Sequence, residues 1–265
     1  PKLLEYNADT PTALLEASVV QWHWMQDVKA GCDQFNSIHE KLIERWRAMG
    51  LGRSRLTFAC VHDHAEDFGN LEYLRDTAAQ ADLETGNVFI EDIGWDARAK
   101  RFVDADERPI ETLVKLYPWE WLIADEFGAN LLGRPMRIIE PAWKIMLSNK
   151  GILPVLWELF PGHENLLPSY RDAARLQGDY VRKPLFSREG ENVSLRRASG
   201  ALSSPGTYGA EGYVYQQLAP IACNDGHYAV IGSWIIGDAA AGIGIREDST
   251  PITRNTSRFV PHYFV

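Results

Sequence analysis

Two lysines stand beside structure-breaking residues in the second half of this chain. They are Asn149-Lys150-Gly151 within IEPAWKIMLSNKGILPVLW, and Arg182-Lys183-Pro184 opening YVRKPLFSREGENVSL. A lysine belongs by default to solvated surface, and from the residues alone each reads as the end of a helix or strand. The second stretch adds another possibility. Tyr180 and Val181 look like an apolar strand end, a cation follows, and Ser187, Arg188, Glu189 and Gly190 make a small polar turn whose N–H groups could close over phosphates. A nucleoside triphosphate carries four charges and needs several point cations and main-chain donors at once, which two separated lysines and a glycine loop supply.

Other residues suit the same chemistry, each with a plainer reading beside it. Glu5 and Asn7 lie two apart in KLLEYN, so on a strand both point to one face. Their oxygens suit Mg²⁺, which takes one or two protein ligands and completes its shell with water and phosphates; the pair alone reads first as a strand end running into an Asx turn. Arg246 follows AGIGI, a run of small residues that lets a ligand or another backbone approach. It could grip an acyl phosphate or a tetrahedral intermediate through its fork, or equally form a structural pair with Glu247 or Asp248. His62 and His64 flank Asp63, but no third ligand follows at useful spacing, so they read as loop residues.

These residues need elements to hold them. Residues 2 to 6 read as a strand, 13 to 28 and 38 to 49 as amphipathic helices, and Gly50 and Gly52 end the second. RLTFACVH (55 to 62), a helix from about Asp67 to Ala81, and NVFIEDI (87 to 93) suggest a βαβ unit with a parallel pair. Residues 97 to 118 read as a short hairpin and loop, 120 to 132 as helix, MRIIE as strand, and 145 to 160 as a helix that Pro154 must kink or break. Residues 186 to 212, rich in Gly, Ser, Arg and Glu, read as a mobile lid or hairpin. Strands are expected in YVYQQLA, HYAVIGSWIIG and AGIGIRE. The expected division is an α/β part over 1–135 and an α+β nucleotide-binding part over 136–265.

Composition bounds the partners. The chain has 265 residues, 45% hydrophobic and 24% charged, enough for a sizeable core, and a net charge of −9 argues against a phosphate-backbone partner. Three cysteines at unrelated spacings fit neither a disulfide framework nor a metal knuckle and point to a reducing cytoplasm. No apolar run reaches the length of a membrane span and no targeting segment opens the chain. Beginning without Met, directly in KLLEYN, it reads as part of a longer protein.

Taken in order, KLLEYNADTPT, IEPAWK with NKGILPVLWELFPGH, YVRKPLFSREGENV, EGYVYQQLAP and GSWIIGDAAAGIGIREDSTPITRNTSRFVPH resemble the synthetase region of the glutathionylspermidine synthase family. The resemblance runs over nearly the whole chain and implies an ATP-grasp-like fold with a pre-ATP-grasp α/β part. It implies an ATP-dependent amide ligase in which Glu5 and Asn7 hold magnesium, and Lys150, Lys183, Ser187 and Gly190 hold the triphosphate. Gln217 and Leu218 meet the adenine and Arg246 acts on the reacting groups. Thr10 and Thr12 then contact the carboxylate of a glutathione-like peptide, and Glu66, Asp67 and Glu120 the peptide and amine, although Asp67 also fits a helix N-cap.

The chain also departs from the family. A further carboxylate and arginine in an R-F-D segment would precede residue 1, which leaves a non-catalytic nucleotide- or peptide-binding relative as the alternative. Threonines flanking Glu120 in the polyamine-specific enzyme stand here as Leu116 and Trp121, and Thr256, Ser257 and Arg258 replace an acid expected for a polyamine's distant amine. No Cys/His amidase arrangement is recognisable.

Overall fold

The computed structural model describes every residue except Arg53. The chain forms two compact, interleaved units: Asp9–Ala142, Gly232–Ile245 and Val260–Val265 in one, and Pro1–Ala8, Trp143–Ile231 and Arg246–Phe259 in the other. The chain therefore crosses between units several times, where the sequence suggests a single boundary near residue 135.

The first unit begins with a π-helical turn (Glu16–Val20) running into α1 (Gln21–Val28), followed by α2 (Ile38–Ala48). Then come β1 (Leu56–Cys60), α3 (Ala65–Gln80), β2 (Thr85–Phe89), the hairpin β3 (Gly94–Asp96) and β4 (Arg101–Val103), β5 (Thr112–Lys115), α4 (Trp119–Ala124) and β6 (Arg137–Ile139). Four strands in the order β2-β1-β5-β6 form an all-parallel sheet. Every residue of β1 is buried, which accounts for its uninterrupted apolar sequence: parallel strands are covered on both faces. On one side Phe58 and Leu71 pack with Trp46, whose ring meets Phe58 edge-on and whose Nε1 donates to Thr77 Oγ1 at 3.0 Å. The βαβ expectation is met, and β5 is an addition. Its sequence, TLVK, ends in a buried lysine and reads as the tail of the preceding hairpin.

The second unit holds α5 (Ile145–Ser148), α6 (Ile152–Leu159), β7 (Ser169–Tyr170), β8 (Tyr180–Pro184), β9 (Ser194–Arg197), β10 (Gly200–Ser203) and β11 (Tyr213–Gln217). The strands form an antiparallel sheet ordered β10-β9-β8-β11-β7. The segment read as a lid or hairpin contains the hairpin β9–β10, with the Ser194 and Ser203 hydroxyls 2.7 Å apart across it. Strands β12 (Cys223–Asn224), β13 (His227–Ile236), β14 (Ala239–Asp248) and β15 (Arg258–Val260) follow as a second sheet in that order.

Two local expectations are corrected. The helix expected over 145 to 160 breaks at Asn149 to Gly151, and Pro154 lies in the first turn of α6, where a missing N–H costs no intrahelical bond. Residues 2 to 6 form no strand, because loops and side chains take up their backbone. Leu3 N–H donates to Asn165 O at 2.8 Å, and the Leu3 and Leu4 carbonyls accept from Gln216 Nε2 at 3.1 Å and Lys183 Nζ at 2.6 Å.

Candidate active site

Strand pairing positions the first lysine. In the β8–β11 register Lys183 faces Val214 and Val181 faces Gln216, and the alternating burial of both strands turns these four side chains to the covered face. There Lys183 Nζ donates to Gln216 Oε1 at 2.8 Å as well as to Leu4 O. The helix break positions the second. With α5 ended, Lys150 N–H donates to Leu185 O just beyond β8 at 2.9 Å, while its ammonium reaches Ser187 O at 2.5 Å and Glu5 Oε2 at 3.4 Å. Both lysines are buried, at 6% and 8% exposure.

Two buried ammoniums thus converge on the Glu5 segment. Desolvation pushes the Lys183 ammonium down to about 8, with the like charge of Lys150 adding to the shift and Glu5 opposing it. At Glu5 desolvation works toward a higher value, but Lys150, Lys183 and the Asn7 amide prevail and hold its carboxyl below the ordinary range. Asn7 Nδ2 donates to Glu5 Oε1 at 3.2 Å. Among the described residues no cluster of three His, Cys, Asp or Glu could hold a metal alone. Glu5 and Asn7 nevertheless fit Mg²⁺ that draws its remaining oxygens from water and phosphates, since they are adjacent oxygen-bearing groups and Glu5 keeps 43% side-chain exposure.

The loop after β8 is built for a close approach. Ser187 is buried, with its hydroxyl 3.5 Å from Pro184 O. Gly190 has φ +69°, and a Cβ there would collide with the Thr253 carbonyl oxygen, so both backbone and space require glycine. Thr253 immediately precedes the turn, residues 254–257, that Arg246 holds. The Arg246 Nη2 donates to the carbonyls of Arg254 at 2.8 Å, Asn255 at 3.1 Å and Ser257 at 3.4 Å. That turn is locked in turn by Asp248, which accepts from Arg254 Nη2 (2.8 Å) and Nε (3.2 Å), from Ser257 Oγ (2.7 Å) and from Thr250 N–H (3.0 Å). The Arg254 guanidinium holds the Asp248 carboxyl well below the usual carboxylate range. Neither Glu247 nor Asp248 pairs with Arg246; Asp248 takes Arg254, and Glu247 lies 3.8 Å from Arg258.

Gln217 and Leu218 line a cavity of about 450 Å³ together with Lys2, Trp157 and Pro220, and Leu218 also lines a second of about 310 Å³. Their N–H groups are spent inside the fold, on Pro168 O at 2.8 Å and Asp179 O at 3.0 Å. The neighbour Gln216 is the residue sequence reasoning passes over. A glutamine at the buried phase of the Val214, Gln216 alternation was its signal.

The remaining site residues belong to the parallel-sheet unit. Asp9, fully buried, pairs with the Lys115 ammonium and accepts from Trp119 N–H at 2.8 Å, so it caps α4 from a distance. Lys115 also donates to Tyr117 O at 2.8 Å and stands 4.9 Å from the Trp119 ring centroid. Desolvation carries its ammonium below the ordinary lysine value, although Asp9 opposes the shift. This one carboxylate ties the segment of Thr10 and Thr12 to the helix start that carries Glu120. Asp67 is not an N-cap: α3 starts at Ala65, His64 Nδ1 accepts from Asp67 N–H at 3.2 Å, and Glu66 and Asp67 form the acidic first turn. Asn70 Oδ1 accepts from Leu14 N–H at 2.8 Å and so fixes the chain just past Thr12.

The chain combines a parallel-sheet part with an antiparallel sheet beside two buried lysines, Lys183 on β8 and Lys150 between α5 and α6, and known proteins place this mixed α/β fold among the ATP-grasp-related ones. The model of the family described as glutathionylspermidine synthase preATP-grasp matches residues 1–265, and the chain belongs to that family. A Haemophilus influenzae protein assigned by name to the acid–amine ligases is 44% identical over 279 residues, covering all of this chain and 71% of the relative. Trypanothione synthetase of Crithidia fasciculata is 31% identical and the bifunctional glutathionylspermidine synthetase/amidase of Escherichia coli 27%; the chain spans 44% and 46% of their lengths. Among solved structures, a glutathione-synthetase-like effector of Globodera pallida in its apo form superposes with a TM-score of 0.64 at 11% identity, over 100% of this chain and 71% of the other. A γ-glutamylcysteine-synthetase-type protein of Methylobacillus flagellatus reaches 0.53 at 12%, over 85% and 72%. These two likenesses support the fold alone.

Proposed function

We propose that this chain carries out ATP-dependent carboxylate–amine ligation. The observation that carries the reading is the convergence of two buried lysines on neighbouring residues of one segment, Lys183 on the Leu4 carbonyl and Lys150 on the Glu5 carboxylate, an anion-ready charge pattern that a merely structural core has no need to bury. A peptide carboxylate attacks the γ-phosphorus of ATP and ADP leaves; the amine then attacks the acyl phosphate, releasing phosphate and a proton and leaving the amide. Lys150 and Lys183 offset the triphosphate charge, the Ser187–Gly190 loop covers it, and Arg246 faces the developing charge on the reacting groups. Glu5 and Asn7 would hold Mg²⁺, which supplies charge neutralisation at the phosphates. Since the Gln217 and Leu218 amides are engaged, the adenine's hydrogen bonds fall to other atoms around the adjoining cavities. The β9–β10 segment acts as the lid that excludes water.

Thr10, Thr12, Glu66, Asp67 and Glu120 are assigned to a glutathione-like peptide and the amine. Support comes from Asp9 and Asn70, which hold these segments, and from the names of the relatives. We place the reaction in a reducing cytoplasm, in keeping with three free cysteines. No helix among the described residues is long and apolar enough to cross a membrane.

The amine follows from charge. Arg258 is 62% exposed on its side chain and stands 3.8 Å from Glu247 and 3.1 Å from both His227 ring nitrogens, in the 256–258 segment where the resemblance implies an acid for a polyamine substrate. A second cation on the amine would meet a cation. Phosphate release is therefore expected to require peptide, amine and ATP together, and to be faster with an amine bearing a carboxylate or no second charge than with spermidine. Spermidine emerging as the best acceptor by about an order of magnitude would overturn this choice of amine, and phosphate release indifferent to amine would overturn the ligation itself.

A pH effect follows from Lys183. Its folded value of about 8 lies below the ordinary 10.5, so between these the unfolded chain binds more protons and stability rises with pH across that window. A bound triphosphate favours the protonated ammonium, so nucleotide binding above pH 8 should take up a proton. Calorimetric enthalpies near pH 8.5 should then differ between buffers of unlike ionisation heat by up to about one proton's worth. Equal enthalpies would show that Lys183 does not meet the phosphates.

A further inference from the structure

We propose that Asp179 latches the β9–β10 hairpin to the segment that follows β11, so that nucleotide held beside that segment keeps the lid down; the inference rests on the nucleotide site and the lid proposed above. The pairing of β8 with β9 ends at Tyr180 opposite Arg196, and its pairing with β11 ends at Tyr180 opposite Gln217. Asp179 is the next residue, where both ladders have run out. There its Oδ1 accepts from Ala198 N–H, in the hairpin turn, at 2.9 Å, while its main-chain carbonyl accepts from Leu218 N–H at 3.0 Å. One residue at the end of the middle strand thus holds the hairpin turn with its side chain and the 218 segment with its backbone.

The turn needs such an anchor. All four residues of β10 are exposed, and so are Arg196 and Arg197, so little burial holds the outer end of the hairpin. Its base is held otherwise: Ser204 Oγ accepts from Val193 N–H at 3.0 Å, and Val193 and Leu195 cluster with Val181 and Ile252, against which Leu218 also packs. Leu218, Ala219 and Pro220 line both cavities described above, the larger with Gln217 and the smaller with Asp179 and Arg197. A base seated in the larger cavity orders the 217–220 segment, and that order passes through Asp179 to the hairpin turn. With the turn held, water is kept from the acyl phosphate. With it loose, water adds to the acyl carbon, the bond from that carbon to the phosphate oxygen breaks, and peptide carboxylate, phosphate and a proton leave with no amide made.

The test is limited trypsin digestion of the full chain with and without Mg-ATP, following cuts after Arg196 and Arg197 by mass spectrometry, for wild type, Asp179→Asn, Asp179→Ala and Asp179→Leu. Asparagine keeps an oxygen that accepts from Ala198 N–H; alanine and leucine do not, and their two sizes guard against one failing to fold, which circular dichroism checks. Without nucleotide the alanine and leucine variants should be cut about five- to tenfold faster than wild type, because losing one hydrogen bond raises the open fraction of the turn by that factor and cleavage tracks that fraction. Mg-ATP should slow the cuts in wild type and Asp179→Asn and leave them unchanged in the other two, although calorimetry finds it bound to all four. Phosphate release with peptide but no amine should rise in the same two variants, and release unchanged there would overturn the water-excluding role of the turn. Alanine and leucine variants that bind Mg-ATP and gain the protection seen in wild type would overturn the latch and leave the nucleotide site standing, as would Asp179→Asn cut as fast as Asp179→Ala. If none of the four binds Mg-ATP, the nucleotide site and the latch fall together.

Discussion

Lys183→Ala is expected to remove the thermal stabilisation that Mg-ATP confers. Nucleotide at about a hundred times its dissociation constant contributes roughly 2.7 kcal/mol, a rise in melting temperature on the order of 5 °C for a chain of this size. Lys183 is buried at the centre of the antiparallel sheet, and Lys150, already shared between Glu5 and the Ser187 carbonyl, cannot neutralise a triphosphate alone. The substitution also strips a donor from Leu4 O and Gln216, at a cost of about 1–3 kcal/mol to the ligand-free protein. Lys183→Met, which keeps the aliphatic stem, separates the effects. Both variants should melt at the same temperature with and without nucleotide, and a full shift in either would remove Lys183 from the phosphate site.

Arg246→Lys should lose turnover by a factor of about 10²–10³ while the dissociation constant of ATP changes by no more than about twofold. Lysine keeps the charge but cannot present a planar fork. In the structure Nη2 is committed to three carbonyls of the 254–257 turn, and Asp248 pins that turn through Arg254 and Ser257. The guanidinium is therefore pre-oriented, with Nε and Nη1 left to act. An equal loss of ATP binding would make Arg246 a nucleotide anchor. Lower stability with turnover retained would make it a brace for the turn.

Much of the fold was legible because period and burial agree. LTFAC is apolar throughout and lies in the middle of a parallel sheet; YVRKP and YVYQQ alternate, and the antiparallel register turns the alternate residues inward. The same alternation places Lys183 on the covered face, which its residue type alone argues against. What stayed hidden depends on partners distant in sequence. Asp9 looks like one polar residue among several in NADTPT, yet it is buried against Lys115, more than a hundred positions away, and caps α4. The strand TLVK was obscured by its own buried lysine. The extended segment at residues 2 to 6 makes no ladder because Gln216 and Lys183 take its carbonyls, a contact no local pattern encodes. Arg246 was equally poised between Glu247 and Asp248 in sequence, and it is the backbone of a turn eight to eleven residues on that holds it.

The most direct measurement follows oxygen. If a carboxylate is activated by phosphorylation, a glutathione-like peptide labelled with ¹⁸O in its reacting carboxyl group must hand one labelled oxygen to the inorganic phosphate released as the amide forms. The expected result is one ¹⁸O per phosphate, with label transfer dependent on amine and slowed in step with turnover in Arg246→Lys. Phosphate released without label, in the presence of amine and with amide formed, would contradict the acyl-phosphate route and with it the central claim.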